Sequence, residues 1–157
     1  MKKSEKNDSF PFKHEKTDDS PGFLLWKITS LWQRKLALIL GEFKITQTQY
    51  AILASLLWFQ RHNTPTTQAH LVEHTKIDKM TLSKAVRKLQ TNGLVAREAS
   101  PTDHRAIHVG FTESGYQVIL KAIIAIEAAD EEFFGGLSDQ QLASYKEIAQ
   151  KILNHKP

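Results

Sequence analysis

The chain has 157 residues, of which 41% are hydrophobic, and a formal net charge of +4. These values predict one ordinary globular domain with its own core and argue against disorder over most of the chain. The absence of cysteine excludes disulfides, thiolate metal sites and thiol-based redox sensing.

The N-terminal segment, residues 1–21, is polar and shows no hydrophobic period, which predicts a mobile arm ahead of a domain over residues 22–157. The first ten residues lack the apolar core of a signal peptide, and no apolar run approaches the roughly 20 residues of a membrane-spanning helix. We therefore expect a cytoplasmic protein that has no membrane partner.

The first three helices are predicted from apolar stripes and helix-start signals. Residues 23–42 carry a stripe that is wide for a small monomer, so part of it should meet another chain. The second helix begins with a capping box of Thr46 and Gln49 and ends at residue 60 or 61. A short third helix, from residue 67 to 74 or 75, precedes a tight turn, which is typical of a helix-turn-helix.

The fourth helix has an apolar stripe for the core and a basic outer face. Asp78 suits its N-cap, and Asn92 and Gly93 end it. The core stripe consists of Leu82, Ala85, Val86 and Leu89. The outer faces carry four cations, two hydroxyls and no carboxylate: Lys79, Met80, Thr81, Ser83, Lys84, Arg87 and Lys88. Such a composition indicates a helix that lies against DNA.

Two short strands and two further helices complete the predicted order. Residues 94–95 and 107–111 are predicted strands, joined by turn-forming residues at 100–103. Thr112 caps a helix over residues 112–134 that is apolar on nearly all sides, and a last helix covers residues 138–155 with a stripe expected to be buried. Helices 23–42, 112–134 and 138–155 are therefore predicted to form a dimerisation bundle around a winged helix-turn-helix over residues 46–111.

Positive charge is concentrated in the predicted reading head, the winged helix-turn-helix over residues 46–111. Seven of the 21 Lys and Arg residues and three of the 17 Asp and Glu residues lie between Lys76 and Arg105, so this segment alone carries +4. The rest of the chain is balanced. A basic patch confined to one element is expected of a protein that contacts the phosphate backbone.

Several short motifs in this order resemble the MarR (multiple antibiotic resistance regulator) family. They are residues 93–97 (GLVAR), 103–105 (DHR) and 111–115 (FTESG), with residues 45–50 (ITQTQY) upstream. Phe111 stands where the family has leucine. The resemblance implies a mainly α fold, an α+β winged helix with N- and C-terminal helices forming a dimerisation bundle, and a homodimeric transcription regulator that binds double-stranded DNA.

The candidate DNA-binding residues come from the third and fourth helices and from the wing. We expect them to be Thr67, Lys79, Met80, Thr81, Ser83, Lys84, Arg87, Lys88, Asp103, His104 and Arg105. Lys79, Met80, Thr81 and Lys84 are placed to reach base edges, and Arg105 to enter the minor groove. In similar proteins a residue matching Lys84 is often a base-contacting arginine, and the family's D-x-R motif implies a salt bridge that holds Arg105 through Asp103.

An effector pocket and a metal site are two further hypotheses. Trp26, Trp32, Tyr50 and Trp58 could line a pocket for a small aromatic effector, as in members of the resembled family. His70 and His74, at i and i+4, have a spacing that can bind zinc, although no clear third ligand accompanies them. No phosphate loop, nucleophile motif or framed carboxylate pair is present, so we predict neither an enzyme nor a cofactor.

The preferred interpretation is a ligand-responsive repressor that binds a pseudo-palindromic operator as a homodimer. Two alternatives remain open: a zinc-responsive regulator of the same fold, and a protein-interaction module that has lost DNA binding.

Overall fold

The computed structural model describes residues 11–155. Six α-helices and two strands follow in the order α1 Pro21–Glu42, α2 Gln47–Arg61, α3 Gln68–Thr75, α4 Lys79–Thr91, β1 Val95–Ala99, β2 Ile107–Phe111, α5 Glu113–Phe134 and α6 Asp139–Asn154. This order confirms the predicted mainly helical winged arrangement. Half of the predicted arm, residues 1–10, lies outside the described residues.

The described part of the first compact unit covers residues 11–34. A short 3₁₀ turn, Thr17–Asp19, precedes α1, which begins at Pro21 rather than at residue 23. Proline suits a first helical position because its ring presets φ and its missing N–H has no partner there anyway. Lys27 pairs with Asp18 and lies 5.3 Å from the centre of the Phe23 ring.

The second unit, from Lys35 onward, contains the reading head and its core. Helices α2, α3 and α4 pack on one another, and α2 also packs on α5. Their buried apolar side chains include Ile52, Leu53, Leu56, Leu71, Leu82, Val86, Leu89, Ile119, Ala122 and Ile126. The predicted α4 stripe is thereby confirmed, with Ala85 half-buried.

Local capping signals determine where the helices begin. Thr46 and Ser138 form the predicted capping boxes with Gln49 and Gln141. The Asp78 carboxylate accepts from the Thr81 N–H at 2.9 Å. These contacts satisfy donors that a helix N-terminus otherwise leaves open.

The turn between α3 and α4 and the end of α4 both use left-handed backbone. Lys76 has φ 59° and donates its N–H to the Val72 carbonyl at 2.9 Å. Gly93 has φ 73°, which glycine adopts without strain, so α4 stops there and the chain enters β1.

The two strands form an antiparallel wing that the loop before α3 extends. Val95 pairs with Phe111 and Ala99 with Ile107. The Val109 N–H donates to the Thr66 carbonyl at 2.9 Å, and Thr67 forms an isolated bridge with His108. The wing is therefore attached to the start of α3.

The start of α5 is docked tightly against the start of β1. The Thr112 hydroxyl donates to the Gly93 carbonyl at 2.6 Å, and the Thr112 N–H donates to the Leu94 carbonyl at 3.2 Å. A Cβ on buried Gly115 would lie 1.8 Å from the Leu94 carbonyl oxygen. The glycine in the 111–115 motif is thus required by a backbone contact.

The apolar stripe of α6, predicted to be buried in the dimerisation bundle, is exposed in the single chain. Ile148 is 57% exposed and Ile152 65% exposed, and no residue of this helix is buried. The apolar residues have the predicted helical period, but no other described helix or strand of the second unit buries them. No helix among residues 11–155 combines the length and hydropathy needed to cross a bilayer.

Gly115→Ala is expected to lower the free energy of unfolding by about 1–3 kcal/mol or more, because the added methyl meets backbone that cannot rotate away. Urea denaturation measures the change. Gly41→Ala is the matched control: a Cβ there meets nothing within 4 Å, so helix propensity should leave stability unchanged or slightly raised. Equal stability of the two variants would contradict the contact.

Hydrogen bonds from Thr81, first from its side chain and then from its backbone N–H, lower the pKa of Asp78 below the usual 3.8. The ionised cap therefore contributes stability that is complete above pH 3.8 and is lost as pH falls through the lowered pKa. A carboxyl NMR titration should show a midpoint below 3.8. The stability difference between wild type and Asp78→Asn should shrink on acidification, whereas a pH-independent difference would argue against the charge.

Candidate nucleic-acid interface

The outward side of α4 presents two parallel rows of side chains at i, i+4 spacing. One row is Lys79, Ser83 and Arg87, and the other is Met80, Lys84 and Lys88. Residues four apart share a helix face, and the buried stripe of this helix is turned into the core, so both rows point away from it.

The cations of this face have no carboxylate partner within the described residues. The four ion pairs found between residues 11 and 155 involve Lys27, Lys35, Lys76 and Lys151. Lys76, which belongs to the basic segment, pairs with Glu73 at 2.5 Å and so differs from the α4 cations. Charges left without internal compensation favour an anionic partner.

A concave cleft lies where α3, α4 and the wing meet. Its volume is about 500 Å³. The lining residues predicted from sequence are Thr67, Lys79, Ser83, Arg87 and Arg105. The structure thereby brings five residues from three separate segments to one surface, with four cationic side chains around it once Arg97 is included.

Arg97 was missing from the predicted site, although it forms part of this cleft. It lies on β1, and its Nε–H donates to the Gln68 side-chain oxygen at 3.1 Å. The bond joins the wing to the first residue of α3. Arg97 is the arginine of the 93–97 motif, so the signal was present, but a sequence pattern does not show that its strand faces α3.

Thr67 is engaged as the N-cap of α3. Its hydroxyl accepts from the His70 N–H at 3.2 Å, and its own N–H donates to His70 Nδ1 at 3.3 Å. Its position at the edge of the cleft therefore follows from the helix start and from the bridge to His108.

The tip of the wing is organised by a buried serine. Ser100 Oγ lies within hydrogen-bonding distance of the N–H groups of Thr102 and Asp103, at 3.4 and 3.3 Å. The Asp103 carboxylate accepts from the backbone N–H of Arg105 at 3.0 Å. Among residues 11–155 no ion pair joins Asp103 to the Arg105 guanidinium, so the predicted salt bridge is wrong. The carboxylate stabilises the turn, and Arg105 lines the cleft.

The remaining predicted DNA contacts are exposed around this cleft. Met80 is 83% exposed, and the others are also exposed: Thr81, Lys84, Lys88, Asp103 and His104. Of these, Met80 and Thr81 belong to the first turn of α4, and Lys84 follows on the next turn. In a helix-turn-helix, the N-terminal residues of the second helix contact base edges.

The predicted aromatic pocket is divided between the two compact units. Trp26 and the half-buried Trp32 belong to the first unit, Tyr50 and Trp58 to the second. Burial, followed by the nearby charges of Glu127 and Asp130, raises the pKa of Tyr50. Trp58 is 53% exposed and lies 4.3 Å from the His62 ring, centroid to centroid. The pocket stays a prediction.

His70 and His74 are each hydrogen-bonded through Nδ1, and the His70 contact opposes binding of one metal ion by both rings. Ser55 Oγ donates to the Ala51 carbonyl at 2.7 Å, so its contact at 2.9 Å with His74 Nδ1 has the imidazole as donor. His70 Nδ1 instead accepts a backbone N–H, which leaves the proton of the neutral ring on Nε2. Within residues 11–155 no group of three His, Asp or Glu side chains could hold a metal ion.

Comparison with known proteins agrees with this architecture. The family model described as ArnR1-like, winged-helix domain, matches residues 41–128. The chain is 32% identical over 137 residues to the HTH-type transcriptional regulator YdcH of Bacillus subtilis, covering 87% of this chain and 92% of that protein. It is 29% identical over 126 residues to the transcriptional regulator HosA of Escherichia coli, covering 80% and 86%. The HTH-type transcriptional repressor Rv2887 of Mycobacterium tuberculosis is 24% identical over 136 residues, covering 86% and 95%.

Solved structures share the same fold. BpsR of Bordetella bronchiseptica, whose DNA binding is regulated by 6-hydroxynicotinic acid, superimposes with a TM-score of 0.81 at 21% identity, covering 94% of this chain and all of that one. A variant of E. coli MarR in complex with operator DNA superimposes with a TM-score of 0.75 at 22% identity, covering 84% and 92%. The sequence matches show that this chain belongs to a family of winged-helix, HTH-type transcriptional regulators, and the structural matches show that it has the fold of MarR.

Proposed function

We propose that this regulator represses transcription by binding a pseudo-palindromic operator as a homodimer, with one copy of α4 and one wing on each half-site. The observation that carries the proposal is the uncompensated basic face of α4, continuous with the cleft that contains Arg97 and Arg105. Heads related by two-fold symmetry would read half-sites about 34–36 Å apart, or a multiple of that distance.

The two rows of α4 would make different contacts, one with DNA bases and the other with the phosphate backbone. The first turns present Met80, Thr81 and Lys84, whose apolar, hydroxyl and ammonium groups suit thymine methyl groups and guanine acceptors. Lys79 and Arg87 line the cleft with Arg97, where a phosphate group would meet several cations at once. Lysine at position 84 lacks the bidentate fork of arginine, so base discrimination there should be weaker.

Dimerisation is supported by the exposed apolar side chains of α6 and of the first part of α1. On α6 these are Tyr145, Ile148, Ile152 and Leu153, and on α1 they include Phe23, Leu24, Leu25, Trp26, Ile28 and Leu31. An exposed apolar stripe on a helix marks an association surface. A second copy of the chain is the partner that would also supply the two-fold symmetry of an operator.

Repression and ligand response are supported by the relatives. Rv2887 is a repressor, and 6-hydroxynicotinic acid regulates BpsR. We infer a small aromatic effector. It would change operator affinity only by binding the free and DNA-bound conformations unequally. The regulator would act in the cytoplasm, beside its DNA, and without catalytic activity.

Binding to the intergenic duplex beside its own gene should be tight, salt-sensitive and well above that to a random duplex of equal length. Fluorescence anisotropy at two salt concentrations measures the affinity for each duplex and its salt dependence. Six to ten phosphate contacts predict a loss of about 10³–10⁵-fold between 50 and 200 mM salt. Equal weak binding to both duplexes would overturn the proposal.

Lys84→Gln and Arg105→Ala should each weaken operator binding, by about 1–3 kcal/mol per head where a base contact is lost. Lys76→Gln is the matched control, because this cation is paired with Glu73 and belongs to the turn before α4. If Lys76→Gln weakened binding as much as Lys84→Gln, net charge rather than the α4 face would explain affinity.

Ile152→Asp should convert the dimer to monomers and reduce operator affinity, because a carboxylate would be buried in the apolar interface. The side chain is 65% exposed in the single chain, so the fold should tolerate the change. Sedimentation velocity measures the oligomeric state, and circular dichroism measures whether the helices remain folded. Gln150→Asp, an exposed polar position of the same helix, should remain a dimer. A dimeric Ile152→Asp variant would exclude α6 from the interface.

A further inference from the structure

Met80 is an unusual side chain for its position. The chain has two methionines, Met1 and Met80, and no cysteine, so Met80 is its single internal sulfur. It is the second residue of α4 and is 83% exposed, whereas Leu82, Val86 and Leu89 of the core stripe are buried. A thioether thus stands on the surface that the proposed function assigns to DNA.

The surroundings of Met80 are cationic. Lys79 precedes it, Lys84 lies one turn further along the same row, and Lys88 continues that row. A positive field raises the local concentration of small anions, including the hypochlorite anion. Exposure also gives uncharged hydrogen peroxide direct access to the sulfur.

We propose that Met80 is an oxidation site through which two-electron oxidants, hydrogen peroxide or hypochlorous acid, weaken operator binding. With hydrogen peroxide the thioether sulfur attacks one oxygen and gives up an electron pair to form the S–O bond; the O–O bond breaks, and the departing hydroxide takes a proton and leaves as water. With hypochlorous acid the sulfur attacks chlorine and hydroxide leaves. Water then displaces chloride from the chlorosulfonium ion, and two protons are released, one of which the hydroxide takes up. The product is methionine sulfoxide.

Oxidation changes what this position can contact. The apolar thioether suits a thymine methyl group, whereas the sulfoxide is polar and carries a strong acceptor oxygen. In the major groove the sulfoxide oxygen has two alternatives. It either has no hydrogen-bond donor, or it accepts a hydrogen bond from the Lys84 ammonium, which then no longer contacts a base. Either outcome should weaken binding by about 5- to 150-fold per head, the usual effect of an unpaired buried polar group or a lost base contact.

The same geometry couples oxidation to DNA occupancy. Met80 is accessible in the free protein and would be covered once α4 occupies the major groove, so bound operator should protect the sulfur. Oxidants would then act on the unbound regulator and keep it from rebinding. Sulfoxide reductases restore the thioether, so the change is reversible.

The inference rests on the proposed function, and the experiment separates the two. The full-length protein is treated with hydrogen peroxide, catalase is added, and its affinity for the intergenic duplex is compared with that of untreated protein. Oxygen addition at Met80 is located by peptide mass spectrometry. We expect an affinity loss that follows Met80 oxidation, reverses with methionine sulfoxide reductases, and is slowed by the cognate duplex but not by a random one.

Met80→Leu provides the discriminating variant, whatever its own starting affinity. It keeps an apolar side chain and every other oxidisable group, so peroxide should no longer change its affinity. An unchanged affinity of fully oxidised wild type, or an equal loss in Met80→Leu, would overturn the inference and leave the proposed function standing. Failure of the untreated protein to prefer the intergenic duplex would overturn the proposed function and the inference with it.

Discussion

The backbone contact between Gly115 and Leu94 is the constraint on which the geometry of the reading head depends. Three elements meet there: the end of α4 at Gly93, the start of β1 and the first turn of α5. Two hydrogen bonds from Thr112 hold the joint, and the space at Gly115 admits no Cβ. Helix α4 and the wing are therefore tied directly to α5, the long helix that packs on α2. In a dimer, a change in the angle of α5 would move both reading elements together.

The positive charge of the reading head favours an anionic partner. Hydrogen bonds and ion pairs within the protein determine which cations remain available to that partner. Lys76 is paired with Glu73, and the Asp103 carboxylate is used by the backbone of Arg105. Arg97 is directed by Gln68. A face of like charges destabilises the free protein slightly, but it becomes favourable when phosphate groups neutralise it and counterions are released.

The exposed apolar groups of α6 and of α4 suit different kinds of contact. On α6 they form a helical stripe, which requires a partner of matching length and shape. On α4 a single methionine stands among lysines, which suits contact with a base rather than with another helix. The same exposure makes Met80 the chemically vulnerable point of the DNA-binding face. Affinity and sensitivity to oxidants would thus arise from one side chain.

Much of the helical framework could be predicted because its signals are local. The N-caps at Thr46, Asp78, Thr112 and Ser138 each act over three residues, so the sequence alone specifies them. The stripe of α4 likewise specifies which of its sides faces the core. Five of the predicted site residues were then found around one cleft, because they follow from the order of helix, turn and wing.

Contacts between distant segments were decided only by the tertiary structure. The pairing of Arg97 with Gln68 and the approach of Gly115 to Leu94 join residues more than 20 positions apart, and no local pattern encodes them. The salt bridge expected between Asp103 and Arg105 was wrong: the carboxylate accepts from the backbone N–H of Arg105, and the guanidinium lines the cleft. The apolar period of α6 was readable from sequence. Its exposure was not, because a period specifies that a helix has an apolar face, and only the packed chain shows whether that face is covered.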